Sequence, residues 1–181
     1  MSSRIEQYAM VGDTQTAALI GDDGSVDWMC APRFDSGACF AALLGNEDNG
    51  RWLIAPAAGG RATRRRYRDH TLVLETEFET AEGAVRIIDF MPIRDQTVDV
   101  MRIVEGLRGH VPMQMHLTIR FDYGQTIPWV RNVGGALVAV AGPDALVLRA
   151  PVETKGVGHS TVAEFTVRAG QRVPFSLAWY P

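Results

Sequence analysis

Lysine is all but missing from this sequence: Lys155 stands alone among 18 Lys and Arg residues. The arginine excess reads as coding bias rather than chemistry. Cysteine is nearly as scarce. Cys30 and Cys39 are too few for a disulfide scaffold and no CxxC or HxxxH spacing accompanies them, so both are read as buried thiols. The four histidines are scattered with no ligand pair, so no metal site is expected, and no motif points to a cofactor. No apolar run approaches the roughly 20 residues of a membrane-spanning helix. The opening MSSRIEQYAMVGD also lacks the apolar core of a secretory signal, and the expectation is a cytoplasmic protein with no membrane partner. A formal net charge of −3 argues against nucleic acid as a partner, since dedicated nucleic-acid binders are usually basic.

What is abundant is apolar residue in strand rhythm. A chain of 181 residues, 46% hydrophobic and 22% charged, can bury a substantial core and is read as one domain, 1–181. Val111, Met113, Met115, Leu117, Ile119 and Phe121 alternate with polar or small-surface neighbours through Asp122, the pattern of a strand with one face in the core. Leu72, Leu74 and Phe78 alternate with Glu75, Glu77 and Glu79; a turn at Glu82-Gly83 then returns the chain as VRIIDFM, which predicts a hairpin. Further strands are expected at 17–20, 26–30, 51–55, 62–68, 98–107, 136–141, 145–149, 161–168 and 173–179. One short helix is expected near 37–44, where Ser36 can cap GACFAALL and Gly45 can close it. So many strands with so little helix predict an all-β fold, a two-sheet antiparallel β-sandwich, because parallel strands would need a crossover helix between them.

Residues 24–36, GSVDWMCAPRFDS, hold a tryptophan, an arginine and two carboxylates. Trp28 alternates with Val26 and Cys30 and is read as core, and Asp27 as a solvent-facing strand position. Pro32 ends the strand, which places Arg33, Phe34 and Asp35 on a loop. Asp35 can accept backbone N–H groups at the helix entry or pair with Arg33; alternatively, the three residues form an exposed polar and aromatic loop. Trp129, after Pro128 in QTIPWVRN, is the indole best placed for exposure and is a second candidate for the substrate rim or a domain interface. RATRRRYR, 61–68, reads as a solvated or salt-bridged strand rather than a phosphate contact, and GDTQTAAL lacks the Gly-Lys-Ser/Thr ending of a phosphate loop. No catalytic pair is assigned here: the turn accounts for Asp22 and Asp23, and the strand for Asp27.

The stretch IEQYAMVGDTQTAALIGDDGSVDWMCAPRFDSGACFAALLG, residues 5–45, resembles the opening of the trehalase and glucoamylase-like proteins of glycoside hydrolase family 15. RYRDHTLVLETEFET, GAVRIIDFMP and FSLAWYP extend the likeness over nearly the whole chain. Met29 and Gly37 stand where Leu and Pro are more usual in that family. The resemblance implies an N-terminal supersandwich followed by a linker and a helical (α/α)6 barrel that carries the catalytic glutamates. Inverting hydrolysis needs two carboxyl groups about 6.5–9.5 Å apart; the family's glutamates have no counterparts here, and the catalytic barrel is absent from this chain. The implied role is a non-catalytic module that supports the barrel and helps rim its site for trehalose or another α-glucoside, with Arg33, Phe34 and Asp35 reaching across the domain boundary to the sugar. An isolated sandwich could also self-associate through the face a barrel would cover. The alternative is a stand-alone carbohydrate-binding sandwich.

Overall fold

The computed structural model describes residues 4–181. Fifteen strands follow in order: β1 Tyr8–Gly12, β2 Ala17–Gly21, β3 Ser25–Cys30, β4 Ala38–Phe40, β5 Arg51–Pro56, β6 Arg64–Tyr67, β7 Leu74–Glu79 and β8 Gly83–Phe90. After them come β9 Val98–Thr118, β10 Trp129–Val133, β11 Ala136–Ala141, β12 Asp144–Arg149, β13 Lys155–Val157, β14 Ser160–Arg168 and β15 Arg172–Tyr180. Every pairing is antiparallel, and the chain is all-β. The first sheet runs β1-β2-β3-β5-β9-β14-β13, with β4 beside β3. The second runs β6-β7-β8-β9-β15-β12-β11-β10.

Strand β9 belongs to both sheets and makes the sandwich. Its first half pairs with β8 and β15, and its second half pairs with β5 and β14. Between them the residues at 107–110 are exposed, Gly109 has a φ of 64°, and the ladder with β8 slips between Ala84 and Val85. A slipped register of this kind bends a strand, and glycine accepts the positive φ without strain. The bend lays one sheet on the other. Thus the strands expected at 98–107 and 111–122 are a single strand turned at a corner. One core fills the sandwich, with Phe40, Trp52, Phe78, Ile87, Met115 and Phe175 among its fully buried members.

The helix expected near 37–44 is replaced by β4 and a single 3-10 turn, Ala42–Leu44. Ala38, Cys39 and Phe40 are all buried, whereas a surface helix keeps one side wet, and two turns of helix are too few to outweigh nucleation. The segment gains more by pairing Phe40 with Met29 and Ala38 with Cys30. Trp28 also departs from expectation. The β2–β3 ladder matches Leu19 with Trp28 and Ile20 with Val26, leaving Asp27 as an extra residue, so the alternation breaks there. Trp28 is half-buried in a small cluster with Cys30, Ala38 and Ala41, separate from the main core. Asp27 is buried as well, its Oδ2 accepting from the Tyr8 hydroxyl at 2.7 Å and its Oδ1 lying 3.5 Å from Arg51 Nε. Both cysteines are free and buried, and burial pushes both thiols up from their ordinary value.

Candidate functional site

Because β9 doubles back, its start and its end lie at the same end of the sandwich. Arg102, in its first half, reaches the carbonyl of Trp52 at 2.8 Å, and Trp52 is the ladder partner of Leu117 in its second half. The segments that follow β1, β3 and β9, and the one that precedes β9, therefore meet at the end opposite the corner.

The loop after β3 begins with a cis Ala31–Pro32 bond. Ser36 then closes a tight turn: its N–H donates to the Arg33 carbonyl at 3.1 Å, and its Oγ accepts from the Arg33 N–H at 3.1 Å. Within the turn Arg33 Nε and Nη2 donate to the two oxygens of Asp35 at 3.0 and 3.1 Å, a bidentate pair standing in solvent. Asp35 thus takes the Arg33 partner and does not cap a helix. Phe34 projects from the same turn with 65% of its surface exposed.

A buried carboxylate that the sequence did not single out organises this end. Asp13 Oδ1 accepts from the N–H groups of Gln15 and Thr16 at 3.0 and 2.8 Å, and Oδ2 accepts from Arg94 Nε at 2.8 Å. Burial pushes this carboxyl upward, but the Thr16 and Gln15 N–H groups and the Arg94 guanidinium together hold it below its ordinary value. Arg94 also donates to Gln15 Oε1 at 3.2 Å, and the Gln15 carbonyl accepts the Phe34 N–H at 3.0 Å. Asp13 and Arg94 so tie the segment before β9 to the Arg33–Asp35 turn. From the other side, the Tyr123 hydroxyl donates to the Ser36 carbonyl at 3.3 Å, and the Tyr123 ring lies 6.0 Å from that of Trp28. The self-bonding turn at Asp13 is a recognisable sequence pattern. Its partner Arg94 is 81 residues away, and no periodicity announces it.

Tyr123, bonded to the turn, is exposed, and so is Ile93 beside Arg94. Chemically, this end offers an aromatic face, fixed hydrogen-bonding groups and apolar surface. Its carboxylates Asp13 and Asp35 are both engaged by arginines. Asp27, which burial raises in spite of Tyr8 and Arg51, lies on the far side of β3 in its own hydrogen-bonded cluster. Trp129 lines a pocket of about 440 Å³ with Leu117 and Ile119 from the end of β9 and with His159 and Ser160. It opens the edge strand β10 with 74% of its area exposed, under the guanidinium of Arg131 at 5.7 Å. The arginine run at 61–68 is salt-bridged: Arg66 and Arg68 both donate to Glu75, and Arg65 caps the carbonyls of Gln7 and Ile20. Among the described residues, no group of three or more His, Cys, Asp or Glu side chains could hold a metal ion, and no helix is long and apolar enough to cross a membrane.

An antiparallel two-sheet β-sandwich with one hydrogen-bonded loop cluster is the class of domain that this geometry defines. The family model described as "Trehalase-like, N-terminal" matches residues 1–174, and the chain belongs to that family. It is similar to a trehalase of Mycobacterium tuberculosis, at 28% identity over 97% of this chain and 30% of that protein. It is also similar to a trehalase of Mycolicibacterium smegmatis, at 35% identity over 66% of this chain and 20% of that protein. A third relative, Trehalase 1 of Sulfolobus acidocaldarius, is 31% identical over 71% of this chain and 22% of its own length. The chain therefore spans less than a third of the length of these relatives.

Proposed function

We propose that the chain is the N-terminal module of a longer family 15 glycoside hydrolase of the trehalase type. In this reading it is a single non-catalytic domain, and the hydrolysis of an α-glucosidic bond belongs to a following (α/α)6 barrel. The module supports that barrel, and Arg33, Phe34 and Asp35 rim its sugar pocket. The parent enzyme is read as cytoplasmic.

The observation that carries the reading is the hydrogen-bonded loop cluster, where the exposed Phe34 and the bidentate Arg33–Asp35 pair share one turn and Ile93, next to Arg94 in the segment bonded to that turn, is exposed as well. Monomeric proteins rarely gather exposed apolar residues without a partner for them. Strand β15 runs toward the same end, since Trp179 pairs with Val98, so a segment following Tyr180 in a longer protein would leave from this face. An aromatic face suits the apolar face of a sugar ring, and Arg and Asp suit its hydroxyls. The relatives named above are trehalases, which favours trehalose as the substrate of the whole enzyme.

The test uses a longer protein in which this module precedes a barrel. Phe34→Ala and Asp35→Ala are each expected to raise the KM for trehalose while leaving the fold intact; unchanged kinetics in both would sink the rim assignment. The 181-residue chain alone is expected to release no glucose from trehalose or malto-oligosaccharides, and turnover by it would overturn the non-catalytic reading. Calorimetry of the chain with the same sugars separates out the alternative, a stand-alone carbohydrate-binding sandwich built on exposed Trp129, which requires measurable affinity without the barrel.

A further inference from the structure

The edges of the two sheets are unequally guarded. An edge strand leaves a row of N–H and C=O groups unpaired, and folded proteins blunt it with charge, shortness, lysine, bulges or a covering group. On β1 the Tyr67 hydroxyl both accepts the Met10 N–H at 2.9 Å and donates to the Met10 carbonyl at 2.8 Å. The edge β6 is arginine-rich, with Arg64, Arg65 and Arg66 in sequence. Strand β13 is three residues long and contains Lys155, and β4 is three residues long and buried.

Strand β10 is less guarded: it is five residues long and its one charge is Arg131. Trp129, Val130, Arg131, Asn132 and Val133 are all exposed, and their ladder with β11 is unbroken from Trp129↔Val140 to Val133↔Ala136. Val130 stands opposite the buried Ala139 and so faces the inside of the sandwich. Trp129 and Arg131 therefore face outward, opposite Val140 and Val138.

We infer that β10 pairs antiparallel with β10 of a second copy of this chain, extending the second sheet across a two-fold axis at Val130. An antiparallel edge is self-complementary by symmetry, so one strand serves both sides of the contact. Charge excludes one register, and cation–π attraction favours another. An axis at Arg131 would set two guanidinium groups directly opposite one another, which is destabilising across a ladder. An axis at Val130 instead sets Trp129 opposite Arg131 of the second copy, and the reverse. Each guanidinium, already over its own indole, then gains a second one, and cation–π attraction holds the four groups in alternation. Val130 meets Val130 of the second copy on the inner side.

Sedimentation velocity of the 181-residue chain over a wide concentration range tests the inference. A reversible monomer–dimer equilibrium is expected; a chain that stays monomeric at every concentration overturns it. Val130→Lys puts an inward-pointing charge at the axis and is expected to raise the dimer dissociation constant by roughly tenfold or more, about 1.4 kcal/mol. A dimer as tight as the unmodified one, with the circular dichroism unchanged, overturns the assignment to β10. Opposed residues at an antiparallel axis have Cα atoms about 4.5–5.5 Å apart, within disulfide reach. Val130→Cys is therefore expected to oxidise to a covalent dimer while Val133→Cys does not, and equal cross-linking of the two overturns the register.

Discussion

Arg102 and Asp89 face each other across β8 and β9 as an ion pair shut off from water, with both side chains 0% exposed and Nε 2.8 Å from Oδ1. The same guanidinium donates to the Trp52 carbonyl at 2.8 Å and the Gly24 carbonyl at 2.7 Å, and it lies 5.1 Å from the Trp52 ring. It fastens the second sheet to β5 and to the β2–β3 turn of the first. Removing one partner of a buried pair strands the other charge, so Arg102→Leu is expected to lose about 3–5 kcal/mol in urea unfolding. The double variant Asp89→Leu/Arg102→Leu is expected to lose less than Arg102→Leu alone, because it removes one donor from each of two backbone carbonyls and leaves no buried charge. A double variant less stable than the single would show that the carbonyl contacts outweigh the ion pair.

Gly24 supplies one of those carbonyls from a turn with a φ of 86°, and a Cβ on it would run into the Ile54 carbonyl oxygen. Its own carbonyl also accepts the Ile54 N–H at 3.2 Å. Gly24→Ala is therefore expected to cost more than about 1 kcal/mol by thermal unfolding, for backbone strain and for the displaced β5. A variant with an unchanged midpoint would show that the turn relaxes into another form.

The sequence displayed this architecture where burial alternates. The run 111–122 reads as a strand because its burial alternates. The run 72–91 reads as a hairpin from its alternating residue types and its turn, even though Glu75, Thr76 and Asp89 are buried as well, and β7 and β8 form that hairpin. Strand β10 went unread for the same reason: all its residues are exposed, so it carries no alternation. The corner in β9 looked like a gap between two strands, because the exposed residues at 107–110 interrupt the pattern. Bulges are equally silent, which is why Trp28 was assigned to the main core. At the loop end, Pro32 correctly placed Arg33, Phe34 and Asp35 on a turn. The Asp13–Arg94 bond that steadies that turn joins distant segments and follows from the fold alone.

Asp13 and Asp27 are buried carboxylates of opposite behaviour, so they predict opposite pH dependences. Asp13 is held below its ordinary value, and its contribution is present above the unfolded pKa of about 3.9 and is lost as pH falls through the folded value. Asp13→Asn is thus expected to destabilise at pH 7 and to converge on the parent as the medium is acidified. Asp27 is raised by burial, and its contribution is present below about pH 3.9 and is lost as pH rises through the folded value. Asp27→Asn should therefore gain on the parent between acidic and neutral pH. Urea midpoints for both variants at several pH values check the two slopes, and slopes of the same sign would contradict the assignment.

The guarded edge allows a last prediction. Tyr67 joins the edge of the second sheet to β1 by satisfying both the N–H and the carbonyl of Met10. Tyr67→Phe keeps the ring and removes both bonds. Each is worth about 0.5–1.5 kcal/mol at most, and their partial exposure puts the loss toward the low end. The specific signature is local: the Met10 amide, returned to water, should exchange its hydrogen faster, while amides in β8 and the first half of β9 keep their protection. Equal acceleration in β8 would mean that Tyr67 supports the whole sandwich rather than one edge. An unchanged Met10 would mean that its amide is protected by something other than the Tyr67 hydroxyl.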